Sequence, residues 1–405
     1  MTSINKTFST HGSILNPYVP VIEEFSNNSN NLTSELGYVE QLSYRDKVIV
    51  VISYSLVSLV AVGGNSVVLF VIAYFRSMHT PTNFLIANLA LADLLMAIFC
   101  IPFSYWTVLI LSYWPFGMVL CKMIHYSQAV FVYLSAYSLV AIAMDRFIAI
   151  MCPLKPHWKI TTKKAAWIIT VTWSIALVIA SPILATMKLI KDPSPDGNST
   201  IDQCREEWSN GKHLYIFNYT ILCVQYFFPL LVLIVTYSGI GIKIWRSRVP
   251  GGEESRADSR LSKHNKDSVK KMIPMMVLVT SLYAICWLPQ NILMNIILSE
   301  FHSVANFRYI YYVWWGCHIT AMLHTTVNPV IYCRRSEKFR EGFAFVFQWI
   351  PGVKFTGVEL MSRKARAAMH STIHSSQLPT KTSATRVPLM QNEPNGNSKT
   401  WSDID

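Results

Sequence analysis

The chain has 405 residues, of which 52% are hydrophobic and only 14% charged. A soluble domain carries nearer a quarter charged residues, so this balance points to a protein with several membrane spans. The net charge of +12 lies in particular loops rather than over one face, which argues against nucleic acid as a partner, and eight cysteines do not make a disulfide scaffold.

Residues 1–46 are polar and rich in Asn and Ser. They read as a disordered tail with acceptor sequons at Asn5, Asn27 and Asn31, which together favour an extracellular, glycosylated segment. A fourth sequon lies at Asn198 in a later loop; a fifth, at Asn218, falls inside an apolar run and is expected to be unused. No basic-then-apolar leader opens the chain, so the first span is expected to act as its own targeting signal.

Apolar segments recur at about 47–75, 83–109, 118–152, 164–187, 214–246, 267–299 and 307–333. Each is long enough to cross a bilayer as a helix, and helices satisfy their own backbone in lipid. The expected fold is an all-α membrane protein with a seven-helix bundle over 47–333. Pro102, Pro182, Pro229, Pro289 and Pro329 interrupt five of the spans and predict kinks. Lys and Arg crowd the third and fifth loops and the segment after the last span, whereas Asp192, Asp196, Asp202, Glu206, Glu207 and Glu300 mark the opposite side. The positive-inside rule then puts the N-terminus outside and the C-terminus in the cytoplasm, in the plasma membrane. Over 334–350, Phe339, Phe343, Val346 and Phe347 repeat at helical spacing against Arg335, Lys338 and Arg340, which predicts an amphipathic helix on the inner lipid leaflet. Residues 351–405 read as a disordered cytoplasmic tail, with closely spaced Ser and Thr suited to phosphorylation.

The third segment carries a polar stripe. Gln128 and Ser135 are seven residues apart, and Gln128 and Arg146 eighteen apart, five helical turns. Eighteen residues rise about 27 Å, roughly the hydrocarbon thickness. The stripe therefore runs from an amide near one surface to the Asp145–Arg146 pair near the other. Cys121 and Cys204 lie outside the spans, with no other loop cysteine to compete, and are expected to form a disulfide. Asp93 sits mid-span; with Asn65, Ser135 and Asn328 it reads either as a Na⁺ site or as a hydrogen-bonded structural cluster.

Gly64-Asn65, Leu91-Ala92-Asp93, Cys121, Asp145-Arg146-Phe147, Trp173, Cys204, Pro229 with Tyr237, Cys286-Trp287-Leu288-Pro289 and Asn328-Pro329-Val330-Ile331-Tyr332 occur in order. Together, over roughly residues 47–350, they resemble the rhodopsin-like (class A) G-protein-coupled receptors. The resemblance implies that Arg146, Tyr237 and Tyr332 rearrange to open a cleft for a heterotrimeric G protein. It implies an activation switch over Asp145, Arg146, Tyr237, Tyr283, Trp287, Pro289, Asn328, Pro329 and Tyr332, with Trp287 beneath the ligand. It also implies receptor kinases and arrestin as partners of the tail, and no cofactor beyond the allosteric Na⁺.

Gln128, Trp114-Pro115-Phe116-Gly117 and Cys317-His318-Ile319-Thr320-Ala321-Met322 are similar to the neuropeptide Y receptor family. The stretches around Tyr126–Val130, Asp145–Leu154 and Trp245–Glu253 are similar to its invertebrate RYamide-type members. That resemblance implies a peptide ending in amidated Arg-Tyr or Arg-Phe, with Gln128, Ser104, Gln225, His318 and Trp287 in the pocket. A carboxamide offers donors and an acceptor, which a glutamine amide matches. The ligand's arginine wants a carboxylate: Glu300 is the candidate, with Glu206, Glu207 and Asp202 as rivals. Departures are Tyr283, Ala136, Val269, His324 and Leu298, the last standing where vertebrate relatives carry an acid. Readings in other classes are a lipid or small-molecule receptor and, remotely, a transporter, for which no inverted repeat is evident. Metal-ligand spacing and a nucleophile–base pair are both lacking, which argues against an enzyme.

Overall fold

A computed structural model describes residues 42–152, 155–193, 199–246, 259–297, 307–357 and 360, without the side chains of 156, 244–246 and 259–273. The sequons at Asn5, Asn27, Asn31 and Asn198, the acid Glu300, Leu298 and the Ser/Thr-rich tail lie outside the described residues, as does the side chain of Val269.

Helix α1 spans Tyr44–Tyr74 and starts where the Ser43 side chain accepts from the Asp46 backbone N–H. Helix α2 covers Pro81–Leu111. Thr80 caps it and Pro81 sits in its first turn, where a missing N–H costs nothing. Helix α3, Gly117–Met151, opens on Gly117 at φ +76°, a conformation that suits glycine. Helix α4 covers Thr162–Thr186, α5 Gly211–Lys243 and α6 Ser259–Ile292. Helix α7 is Ile310–Arg335, and a short α8, Glu337–Val346, follows a one-residue break. The sequence predicted the last helix over 334–350; it starts later because α7 keeps its own turn through Arg335.

Among the described residues, six helices are long and apolar enough to cross a membrane by composition. The seventh expected segment is the long helix α7, which is less apolar than these six. That helix has 26 residues, but His318, His324, Thr325 and Asn328 lower its apolar character, and all four are buried in the bundle. It packs chiefly on α6 and α1. Its polar groups are therefore solvated by protein rather than by lipid, which is how a membrane helix tolerates them. Large apolar side chains such as Leu59, Trp167 and Val178 are about 70% exposed on the outer faces of α1 and α4, as a lipid-facing surface requires.

Helix α3 is the hub, packing against α2, α4 and α5. At the α1–α7 crossing, a Cβ on Gly64 would come within 2.6 Å of the Pro329 ring, so only glycine permits this approach. Wide π-helical turns lie at Met96–Cys100 just before Pro102, at Leu222–Phe227 just before Pro229, and at Leu293–Ile297 after Pro289. Proline removes one ladder donor and crowds the preceding turn, and a widened turn absorbs the misfit.

The otherwise helical fold includes a hairpin that periodicity did not reveal. Strand β1, Met187–Pro193, pairs antiparallel with β2, Thr200–Glu206. The Cys121–Cys204 disulfide ties β2 to the start of α3. The Trp114 N–H donates to the Asp202 carbonyl at 2.7 Å, and Gln203 Nε2 to the Ser112 carbonyl at 2.7 Å, which fixes the same strand to the α2–α3 connection.

Candidate functional site: a polar cavity beneath the hairpin

A cavity of about 750 Å³, mouth included, opens among α3, α5, α6, α7 and β2. Its wall includes Gln128 of α3, Asn218 and Gln225 of α5, Trp287, Gln290 and Asn291 of α6, His318 of α7 and Glu206 of β2. A site this rich in amides inside an apolar bundle is built to hydrogen-bond something.

The predicted pocket residues divide. Gln128, Gln225, Trp287 and His318 all reach the cavity. Ser104 stands behind Gln128: its single hydroxyl hydrogen is shared between the Cys100 carbonyl at 2.9 Å and Gln128 Oε1 at 3.1 Å. Asn218, Gln290, Asn291 and Asn295 were missed by sequence reasoning. The signal was present in α6, where Trp287, Asn291 and Asn295 recur every fourth residue on one face. Asn291 Nδ2 donates to the Trp287 carbonyl at 2.9 Å, and Asn295 Nδ2 approaches Asn291 Oδ1 at 3.2 Å.

Four buried polar atoms on this wall have no partner among the described residues: Asn218 Nδ2, Trp287 Nε1, Gln290 Oε1 and His318 Nε2. Buried polar groups are rarely left unpaired, since each forfeits the hydrogen bonds it made in water. All four belong to residues that line the cavity, so its wall carries unmatched donors and an unmatched acceptor.

Among the acids considered, the structure separates three. Glu206 is 4% exposed and lines the cavity, where burial pushes its carboxyl up to about 7 against the pull of a 2.8 Å hydrogen bond from Trp208 Nε1. Glu207 instead pairs with Lys188 at 2.7 Å near the surface. Asp202 lies off the cavity wall and holds Trp114 through its carbonyl. Trp314 is an interior residue, not a belt aromatic, for it is buried and stacks on His318 with ring centres 4.4 Å apart.

Below the cavity, Tyr283 meets His324 edge-on at 5.5 Å, and Trp287 lies 5.3 Å from the same imidazole. Asp93 is fully buried; its oxygens accept from Ser135 Oγ at 2.9 Å and Asn328 Nδ2 at 2.6 Å. Asn65 does not join them. Its Nδ2 donates to the Ala61 and Thr325 carbonyls, both at 2.9 Å, so it ties α1 to α7. His324 takes a place at the cluster instead, with Nδ1 donating to the Ala321 carbonyl at 2.6 Å and Nε2 3.5 Å from Asp93 Oδ1. The Asp93 carboxylate and Ser135 Oγ are oxygens of the kind Na⁺ takes, while Asn328 turns its amide nitrogen and His324 an imidazole nitrogen toward the carboxylate, so among the described residues Asp93 is the centre of a polar cluster.

At the far end of α3, Arg146 is held by Asp145 and by the Thr82 hydroxyl, which itself donates to Asp145 at 2.6 Å. Tyr237 lies 3.5 Å from the Thr280 hydroxyl, and the buried Tyr332 hydroxyl has no partner among the described residues. Asn88, between these levels, donates to Ser138 at 2.8 Å and accepts from Trp173 Nε1 at 2.9 Å, pinning α2, α3 and α4 together.

The sequence also matches known proteins. The profile of the 7 transmembrane receptor (rhodopsin family) matches residues 64–332. The chain is 39% identical to Neuropeptide receptor 22 of Caenorhabditis elegans, over 82% of this chain and 77% of that one. It is 40% identical to the RYamide receptor of Drosophila melanogaster, over 76% of this chain and 65% of the relative, just under two thirds of its length. It is likewise 40% identical to the RYamide receptor of Tribolium castaneum, over 74% of this chain and 80% of the relative. A profile match over more than half the chain, and relatives this similar, mean that the chain belongs to the rhodopsin family of seven-transmembrane receptors.

Proposed function

We propose that the chain is a plasma-membrane receptor for a C-terminally amidated neuropeptide ending in Arg-Tyr or Arg-Phe, and that it signals through heterotrimeric G proteins. The observation that carries this reading is the lining of the cavity, where one buried acid and a set of amides and ring N–H groups share a single space. A primary carboxamide has one acceptor and two donor hydrogens. Gln128, Asn218, Trp287 and His318 supply donors, and Gln290 Oε1 supplies an acceptor. A free carboxylate would leave Gln290 Oε1 unmatched and add a second negative charge near Glu206. Glu206 meets the ligand's arginine, because an Arg–carboxylate pair is the strong, oriented contact available to a guanidinium. The relatives described as RYamide receptors support the same ligand class.

The hairpin end faces outward in this reading, with the N-terminal tail outside, glycans on Asn5, Asn27, Asn31 and Asn198, and the C-terminus in the cytoplasm. The domain plan is an extracellular tail over 1–46, the receptor bundle over 47–333, a membrane-surface helix after it, and a cytoplasmic tail from 351 that receptor kinases and arrestin engage. Ligand contact with Trp287 passes through Tyr283, Pro289 and the Asn328–Pro329 turn to the other end of the bundle. There Arg146 leaves Asp145 and Thr82, and Tyr237 and Tyr332 turn toward the space it opens.

The test is a second-messenger assay in transfected cells, using matched peptides ending in Arg-Tyr-amide, Arg-Phe-amide and Arg-Tyr acid. Response to the amides at concentrations at least tenfold lower than to the acid supports the reading. Silence to all three, with the receptor confirmed at the surface, overturns the peptide assignment and favours a lipid or other small ligand.

A further inference from the structure

Tyr54 of α1 is fully buried and lies outside the set of residues that line the cavity. Its ring stacks flat on Tyr105, with centres 4.5 Å apart and planes 2° from parallel. Its hydroxyl is 2.7 Å from His318 Nδ1. His318 is itself held flat against Trp314, 10° from parallel, and its Nε2 has no partner among the described residues. The imidazole is thus clamped by an aromatic face and addressed on one nitrogen, while the other is buried without a partner among the described residues, in a side chain that lines the cavity.

A neutral imidazole carries its proton on one nitrogen only, and the neighbour of the other nitrogen decides which. If Nδ1 carried it and donated to Tyr54, the Tyr54 hydroxyl hydrogen would lose its one described acceptor, and Nε2 would become an unpaired acceptor. Two buried groups would then be orphaned. If the Tyr54 hydroxyl donates to Nδ1, one group remains, the Nε2–H. The second arrangement leaves fewer buried polar groups unmatched.

We infer that Tyr54 is a positioning residue for ligand recognition: its hydroxyl fixes His318 as the Nε2–H tautomer, so that this part of the cavity presents a donor and receives a ligand carbonyl oxygen. Tyr54 touches no ligand itself. The inference about the ligand rests on the proposed peptide function, whereas the tautomer does not.

Two measurements test it. The first needs no ligand: histidine-labelled receptor in lipid nanodiscs is examined by carbon and nitrogen NMR, with the His318 signals identified by their loss in His318→Gln. The wild type should show Nε2–H, and Tyr54→Phe, which keeps the ring and removes the hydroxyl, should show a mixture or the other tautomer. A wild-type Nδ1–H signal, or a tautomer unmoved by Tyr54→Phe, overturns the inference, and the wild-type spectrum decides even if the variant is not recovered. The second is binding of an Arg-Tyr-amide peptide. Tyr54→Phe should weaken it about tenfold in the wild-type background. In His318→Gln the side-chain amide provides an N–H near the same place without a tautomer to choose, so adding Tyr54→Phe should change affinity less than twofold. Equal losses in both backgrounds would mean that Tyr54 acts by packing alone. A tautomer shift in a receptor that binds no peptide would retain the positioning role and discard the peptide reading.

Discussion

The two ends of the bundle treat their polar groups differently. Around the cavity, Asn218, Trp287, Gln290 and His318 each keep a buried polar atom without a partner among the described residues. At the Arg146 end the charges are bound within the chain: Arg146 lies on Asp145 and Thr82, and midway Asp93 lies on Ser135 and Asn328. Unpaired atoms do occur deeper, on Asn65, Tyr133, His324 and Tyr332, but among the described residues none of these lines the cavity. An unpaired donor is worth its cost where a ligand will meet it. A paired charge suits a switch, which must rest in one state and leave it only when another contact is supplied. The cavity should therefore govern affinity, and the Arg146 end should govern coupling.

The strongest way to break this division is Arg146→Ala. Peptide affinity should stay within about twofold in the absence of G protein, while the second-messenger response is lost. Normal signalling at normal surface expression would reject the assigned role. Next in size is Glu206→Gln, which keeps the shape and removes the charge. Losing one partner of a buried charge pair costs about 2–3 kcal/mol, or roughly 30- to 150-fold in peptide affinity.

The same residue sharpens the comparison through pH. Burial raises the free Glu206 carboxyl to about 7, and an arginine would favour its ionised form. Affinity should hold above pH 7 and fall as pH drops below it, because the proton and the arginine compete for one carboxylate. Radioligand binding between pH 5.5 and 8 should show this slope in the wild type and a flat profile in Glu206→Gln; matching profiles would move the arginine contact elsewhere. Gln128→Ala should cost about tenfold for the amidated peptide and much less for the free acid, at about 1.4 kcal/mol per tenfold.

One effect belongs to neither end and leaves affinity untouched. Gly64→Ala would push a methyl into the Pro329 ring, and overpacking of this kind costs about 1–3 kcal/mol. Thermal unfolding of the detergent-solubilised receptor should shift down, with peptide affinity at low temperature unchanged. An unaltered melting temperature would show that α1 and α7 can separate at no cost.

Much of this was legible before any fold was drawn. Apolar run length marked the helices, since a bilayer demands spans of about 20 residues whatever their neighbours. The end-to-end stripe on α3 was readable because helical periodicity is local. Cys121 at the first turns of α3 and Cys204 in the loop after α4 identified the disulfide by their position. Other features were decided only when helices met. Asn65 lies away from Asp93 while His324 stands beside it, because side-chain direction depends on how α1 and α7 pack, and Gly64 permits that close approach. Which acid faces the cavity depended on the hairpin register, which sets Glu206 inward beside Glu207 on Lys188. Tyr54 gave no signal in sequence, as its partner His318 is 264 residues away. Local spacing fixes elements and faces; contacts between distant segments depend on packing, and packing alone chose which polar atoms would be paired and which left for a ligand.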